Sequence, residues 1–164
     1  MAVFQLITSL SPANIAVLKT DINSKLNTVL PNGKTMNANL QETNFQAIAD
    51  YYNTNASPQL DLWRPDLNPK DLNKYLVMTE FQALTVQKQN GWFAIIGGNE
   101  VDATAAQVRT NFATILGAAS VSTTNLTAQA KKIATNFEKL FTVSNVSSMY
   151  KYIVNADDID ATSR

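Results

Sequence analysis

The chain has 164 residues and is 45% hydrophobic, enough to bury a core and too apolar to be disordered by composition. Only 16% of its residues are charged, and 13 basic residues balance 13 acidic ones, which argues against a dedicated nucleic-acid binder with its cationic excess. With no cysteine and no histidine, the chain also lacks a disulfide scaffold, thiolate metal sites, the commonest general base and the usual neutral-pH switch. Its polar residues are mainly Asn, Thr, Ser and Gln, a surface that suits cover by other subunits as well as by water.

No apolar run approaches the roughly 18 residues of a spanning helix. Residues 2–10 lack the basic start and small-residue cleavage site of a signal peptide. Manufacture and use in a cytosol, without a membrane, are expected.

Residues 2–8, AVFQLIT, are rich in strand formers and predict an extended arm or edge strand. Ser11-Pro12 is a helix start, and the spacing of Ile15, Leu18, Ile22, Leu26 and Val29 predicts a helix to about residue 30. Pro31-Asn32-Gly33 ends it. Residues 34–40 are polar and read as a loop.

A second helix is expected over about 42–53, with Phe45, Ile48, Ala49 and Tyr52 inward. The prolines at 58 and 65 then impose an extended stretch. Asn68-Pro69 starts a short helical turn through Tyr75.

Residues 79–141 read as a hub of three amphipathic helices. The first, about 79–96, carries Phe81, Leu84, Trp92, Ile95 and Ile96, with Thr79 as cap and Gly97-Gly98 as stop. The second, about 102–116, is capped by Asp102, stopped by Gly117, and carries Ala105, Val108, Phe112 and Ile115. The third, 123–141, is capped by Thr123 or Thr124 and carries Leu126, Ala130, Ile133, Phe137, Leu140 and Phe141. Short connections favour antiparallel packing of such helices. Residues 142–148 read as a polar linker, 149–154 as strand-like, and 155–164 as an acidic end with one helical turn. No internal repeat is present.

The expected fold is therefore mainly α. It is an antiparallel helical bundle over 1–141 with an extended N-terminal arm (1–10). Residues 142–164 form a C-terminal linker and docking arm, and short strands are possible in the arms.

Few residues point to chemistry. Asp157-Asp158-Ile159-Asp160 has oxygen donors but not the Gly and distant Glu of a calcium loop, so a capped terminus or a partner contact is expected. Gly97-Gly98 lacks the strand and Lys of a phosphate loop and reads as a helix stop. Trp63-Arg64, between two prolines, reads as an anchor of irregular chain to the core. Glu80, Glu100 and Glu138 are isolated in sequence, and without histidine a serine or threonine nucleophile would need a lysine base. No S-x-x-K stands in a hydrolase context. No catalysis, cofactor or metal is expected.

Two surfaces remain. Met149, Tyr150, Tyr152, Ile153 and Val154, with Asp157 and Asp158, are expected to dock on a partner, because an apolar tail after a polar linker has no evident home in a helical core. Lys131, Lys132 and Lys139, with Arg109, form a basic face read as solvated or as contacting DNA or an acidic partner.

Several stretches resemble, in order, a family of small tailed-bacteriophage proteins encoded among the head and neck genes. They are LSPANIAVLKTDI (10–22), AIADYYN (47–53), ASPQLDLWRP (56–65), VRTNFATILGA (108–118) and AKKIATNFEKLF (130–141). After Leu140-Phe141, relatives carry a Gly-containing loop where this chain has Thr142-Val143-Ser144. The resemblance implies a structural virion protein of the neck, a head-to-tail adaptor assembled in the host cytoplasm. Such proteins form a ring, usually of twelve copies, under the portal and against the next neck or tail protein. Double-stranded DNA passes through without sequence-specific binding. The alternatives are a stopper, a tail terminator, or a small cytosolic phage-encoded protein-binding module.

Overall fold

The computed structural model describes residues 7–164. Most of the expected N-terminal arm therefore lies outside the described residues. The fold is mainly α, with ten α-helices and two two-stranded sheets among those residues. It divides into two compact units, one over Asp61–Lys132 and the other over residues 7–60 and Ile133–Arg164. This replaces the expected division at residue 142, because the C-terminal segment is part of a core and not an appendage.

The second unit opens with α1 (Pro12–Ser24), whose Ser11 side chain accepts the Asn14 N–H as cap. The helix stops short of the expected residue 30. Gly33, in the left-handed region at φ 79°, reverses the chain, and the flanks bond each other instead: Leu30 N–H to the Lys34 carbonyl, Met36 N–H to that of Thr28. The expected loop at 34–40 is instead α2 (Met36–Gln41), capped by Thr35. Next comes α3 (Phe45–Asn53), which buries Ile48, Ala49 and Tyr52 as expected.

The chain returns to this unit at α9 (Asn136–Leu140) and the hairpin of β3 (Thr142–Val143) with β4 (Val146–Ser147). Ser144 and Asn145 both have positive φ, at 51° and 64°, matching the twist of a two-residue hairpin turn. The expected polar linker is thus a hairpin. Residues 149–154 form no strand, and α10 (Ala156–Ser163) closes the chain through a capping box between Asn155 and Asp158.

Leu18, Ile22, Ile48, Tyr52 and Phe137 share one core with Met149, Tyr152, Val154 and Ile159. Asn53 holds the returning chain at Val154, its side chain bonding that residue's N–H at 2.9 Å and carbonyl at 2.8 Å.

The unit over Asp61–Lys132 starts with β1 (Asp61–Trp63), which pairs with β2 (Lys131–Ile133). Between them run α4 (Pro69–Leu72) with a 3-10 turn at Asn73–Tyr75, α5 (Met78–Gln82), α6 (Val86–Ile96), α7 (Ala106–Leu116) and α8 (Val121–Gln129). Trp92 is fully buried, tilted against Phe112 at 5.9 Å between ring centres, and its indole N–H donates to Asn73. Leu72, Val101, Leu116 and Leu126 complete this core.

Two expected long helices are broken. The 79–96 helix becomes α5 and α6, because Thr85 caps a new start and Gln89 bonds the carbonyls of Phe81 and Leu84 at the break. The 123–141 helix becomes α8, β2 and α9. Residues 130–136 give their backbone groups to the segment 54–64: Arg64 N–H to the Ala130 carbonyl, Ala134 N–H to that of Leu60, Asn136 N–H to that of Thr54. Thr135 then restarts the helix with a capping box to Glu138. The cap of α8 is Ser120, not Thr123 or Thr124. Asp102 does not cap α7, since its carboxylate accepts from the N–H and hydroxyl of Thr104. Gly97 and Gly117 follow α6 and α7 as expected.

Candidate functional site

In the unit over Asp61–Lys132, β1 places Trp63 partly buried, flanked by two cations. The Arg109 guanidinium of α7 lies 4.6 Å from the ring centre and the Lys131 ammonium of β2 lies 4.7 Å from it. Arg109 is fixed further, donating from Nη1 to the carbonyls of Ala103 at 2.6 Å and Thr104 at 2.7 Å. The reading of Trp63 as an anchor holds, and the structure adds Arg109 and Lys131 as its partners.

Arg64 turns elsewhere. It donates to the Gln129 carbonyl, pairs with Asp66 at 3.5 Å, and borders a cleft of about 280 Å³ with Asn68, Asp71 and Lys74. Lys74 in turn pairs with Asp71, whose hydrogen bond and charge raise the ammonium's pKa. The cleft is lined by charges already matched in sign.

The expected basic face is not one helix face. Lys131 and Lys132 stand on β2, and Lys139 stands on α9, where its ammonium reaches the Ser57 carbonyl at 3.4 Å.

The expected docking residues also read differently in the structure. Met149, Tyr150, Tyr152 and Val154 are buried within their own unit, not displayed on an arm. Tyr152 donates to both carboxylate oxygens of Asp158 at 3.0 Å, and burial, then this bond, push its phenol pKa up. Ile153, 74% exposed, and Asp157 remain on the surface. Tyr152, Ile153 and Val154 are all hydrophobic in the sequence, so which of them is buried is set by the fold.

Glu138, isolated in sequence, is fully buried. One carboxylate oxygen accepts the Thr135 N–H at 2.9 Å and the other the Lys151 N–H at 2.6 Å. Its main-chain carbonyl accepts the hydroxyls of Thr142 and Ser147. This is a structural clasp that sequence reasoning missed. The signal was present as the T-x-x-E spacing of Thr135 and Glu138.

Glu80 has a similar role in the other unit. Its carboxylate caps α8 from outside, accepting the N–H groups of Val121 and Ser122 at 2.9 Å and the Ser122 hydroxyl at 2.7 Å. Those bonds, the hydroxyl's first, hold its pKa below the ordinary glutamate value.

Among the described residues, no three acids cluster as metal ligands would, and no helix is long and apolar enough to cross a membrane. The remaining surface features are apolar. Met78, Val86, Phe93 and Val121 are exposed on α5, α6 and α8, and Phe93 packs edge-on to Phe81. In the other unit, Val17 and Leu140 line a shallow groove of about 450 Å³. No protein-family model, curated protein or solved structure matches the chain.

Proposed function

We propose that this chain is a structural virion protein, a head-to-tail adaptor that forms a ring, usually of twelve copies, beneath the portal. It would join capsid to tail and leave a channel for double-stranded DNA. What supports this reading is the resemblance of an ordered series of motifs, from LSPANIAVLKTDI to AKKIATNFEKLF, to those of phage neck proteins. Formal neutrality supports it, because a channel that lets DNA slide must not hold phosphates tightly. Exposed apolar side chains such as Val86 and Phe93 suit a subunit that is covered by neighbours. The wedge of such a ring is read as antiparallel helix packing within the body. No reaction is assigned to the chain, and its place is the virion neck after assembly in the host cytoplasm.

The test is to mix the chain with portal rings and image them. A ring of added density on the portal, of matching symmetry, is the expected result. Portal rings that stay bare at saturating protein overturn it.

A second reading, a cytosolic protein-binding module, draws on one observation: the C-terminal segment completes its own unit's core and leaves no free arm. Under that reading the chain is recovered from infected cells with a host protein and is absent from purified virions. A stopper or tail terminator would bind a neck ring but not the portal.

A further inference from the structure

Among the described residues, the pair of cations on Trp63 has no carboxylate against it. The Lys131 ammonium lies over the indole, and Arg109 spends Nη1 on main-chain carbonyls; among the described residues neither the ammonium nor Arg109 Nε and Nη2 has a further hydrogen bond. Both distances run to one ring centre, so the charges lie within about 9 Å of each other, comparable to the Debye length of about 8 Å at physiological salt. Two like charges held this close are stabilised by an anion placed between them.

The geometry favours a carboxylate. The Arg109 guanidinium is fixed in place, so its free edge suits a planar two-oxygen acceptor. The indole is already occupied by cations, which disfavours stacking of a base on it. Fixed, partly buried Trp and Arg are typical of the centre of a protein interface.

The same chain carries a matching acidic element. In the first turn of α10, Asp158 is committed to Tyr152 and the Asn155 N–H, and further along Asp160 pairs with Arg164. Asp157 stands exposed in the first turn, within the field of Arg164, and Ile153, four residues earlier in the chain, is 74% exposed. A chain with 13 charges of each sign does not repel its own copies.

We propose that the Trp63–Arg109–Lys131 cluster of one copy receives the acidic first turn of α10, led by Asp157, from a second copy. The contact joins two different surfaces, so it is heterologous, the kind that builds a ring when its rotation closes. It rests on the ring reading above and names the seam between its subunits.

The chain has no cysteine, so paired cysteines report the contact directly. A Lys131→Cys chain is mixed with a differently tagged Asp157→Cys chain and treated with a short bismaleimide, with and without portal rings. Cross-linking between the two tags, in excess over either self-pair, is expected. In sedimentation, Lys131→Glu and Asp157→Lys should each weaken self-association about tenfold, and the mixture of surfaces in the double variant should restore it.

Circular dichroism confirms that each variant is folded, and Asp157→Lys, on an exposed position, serves as the independent arm should Lys131→Glu disturb β2. Cross-links no more frequent than self-pairs, in both conditions, overturn the proposal. So does a Lys131→Glu chain that loses only low-salt DNA binding, which would make the cluster a phosphate contact. Portal binding is read separately: if it persists while the cross-link fails, the seam is wrong and the adaptor reading stands.

Discussion

The Glu138 carboxylate holds the backbone N–H of Lys151 at 2.6 Å, thirteen residues along the chain. Lys151 sits in the left-handed region at φ 60°, which an ordinary side chain disfavours. One buried acid thus fixes both the start of α9, through Thr135, and the strained turn that sends the C-terminal segment into the core.

Glu138→Ala should therefore be among the most damaging single changes in its unit. It leaves two N–H groups, at Thr135 and Lys151, without their acceptor. At about 1–3 kcal/mol for each group left unsatisfied, the expected loss is roughly 2–6 kcal/mol. Urea denaturation measures it, and a loss under 1 kcal/mol would show that water or another group replaces the carboxylate.

Deleting residues 147–164 should unfold the unit rather than free a docking arm. Met149, Val154 and Ile159 are buried there, each contributing about 1.5–3 kcal/mol, against a total stability of roughly 5–15 kcal/mol for a domain. A truncated chain with wild-type helix content and cooperative melting would contradict the packing described here.

Tyr52 predicts an alkaline limit. Burial first, then the hydrogen bond to Asp21 at 2.6 Å and its negative charge, push the phenol well above its usual value of about 10. The fold keeps the neutral form, whereas the unfolded chain ionises near pH 10. The stabilisation is whole below that pH and is lost as pH rises towards the higher folded value. Tyr52→Phe should cost about 1 kcal/mol at pH 7 and show a smaller loss above pH 10, read from melts across pH.

Glu80 predicts an acid-side effect of opposite sense. Its pKa is lowered in the fold by Ser122 and Val121, so its contribution is present above the unfolded value of about 4.3 and lost as pH falls through the folded one. Glu80→Gln should be less stable than wild type at pH 7, with the gap closing as the solution is acidified. A gap independent of pH would mean that the amide caps α8 equally well.

Gly117→Ala tests the end of α7 alone. Gly117 has φ 94°, and an added Cβ would meet nothing nearer than the Ser120 Cβ at 3.9 Å. The cost is then conformational, about 1–3 kcal/mol, with no clash to relieve. Thermal melting checks it, and a neutral result would require the turn to rearrange.

Helix content and punctuation were legible from local signals. Ser11-Pro12, Asn68-Pro69, Gly97 and Gly117 mark ends through their own side chains or lack of them, and the structure places the boundaries there. The T-x-x-E of Thr135 and Glu138 was equally local, but the apolar spacing from Leu126 to Phe141 masked it. The candidate cluster was half legible. Trp63 stood out by its neighbours, yet Arg109 and Lys131 lie far from it along the chain and reach it only through folding.

The sequence by itself determined that this is a mainly helical chain, and where several of its turns begin and end, because caps, prolines and glycines act over three or four residues. Only the tertiary structure decided that 131–133 is a strand, that 149–159 belongs to a core, and that two cations share one indole. Each of those depends on partners dozens of residues away, whose hydrogen bonds and apolar surface outweigh the local preference for helix.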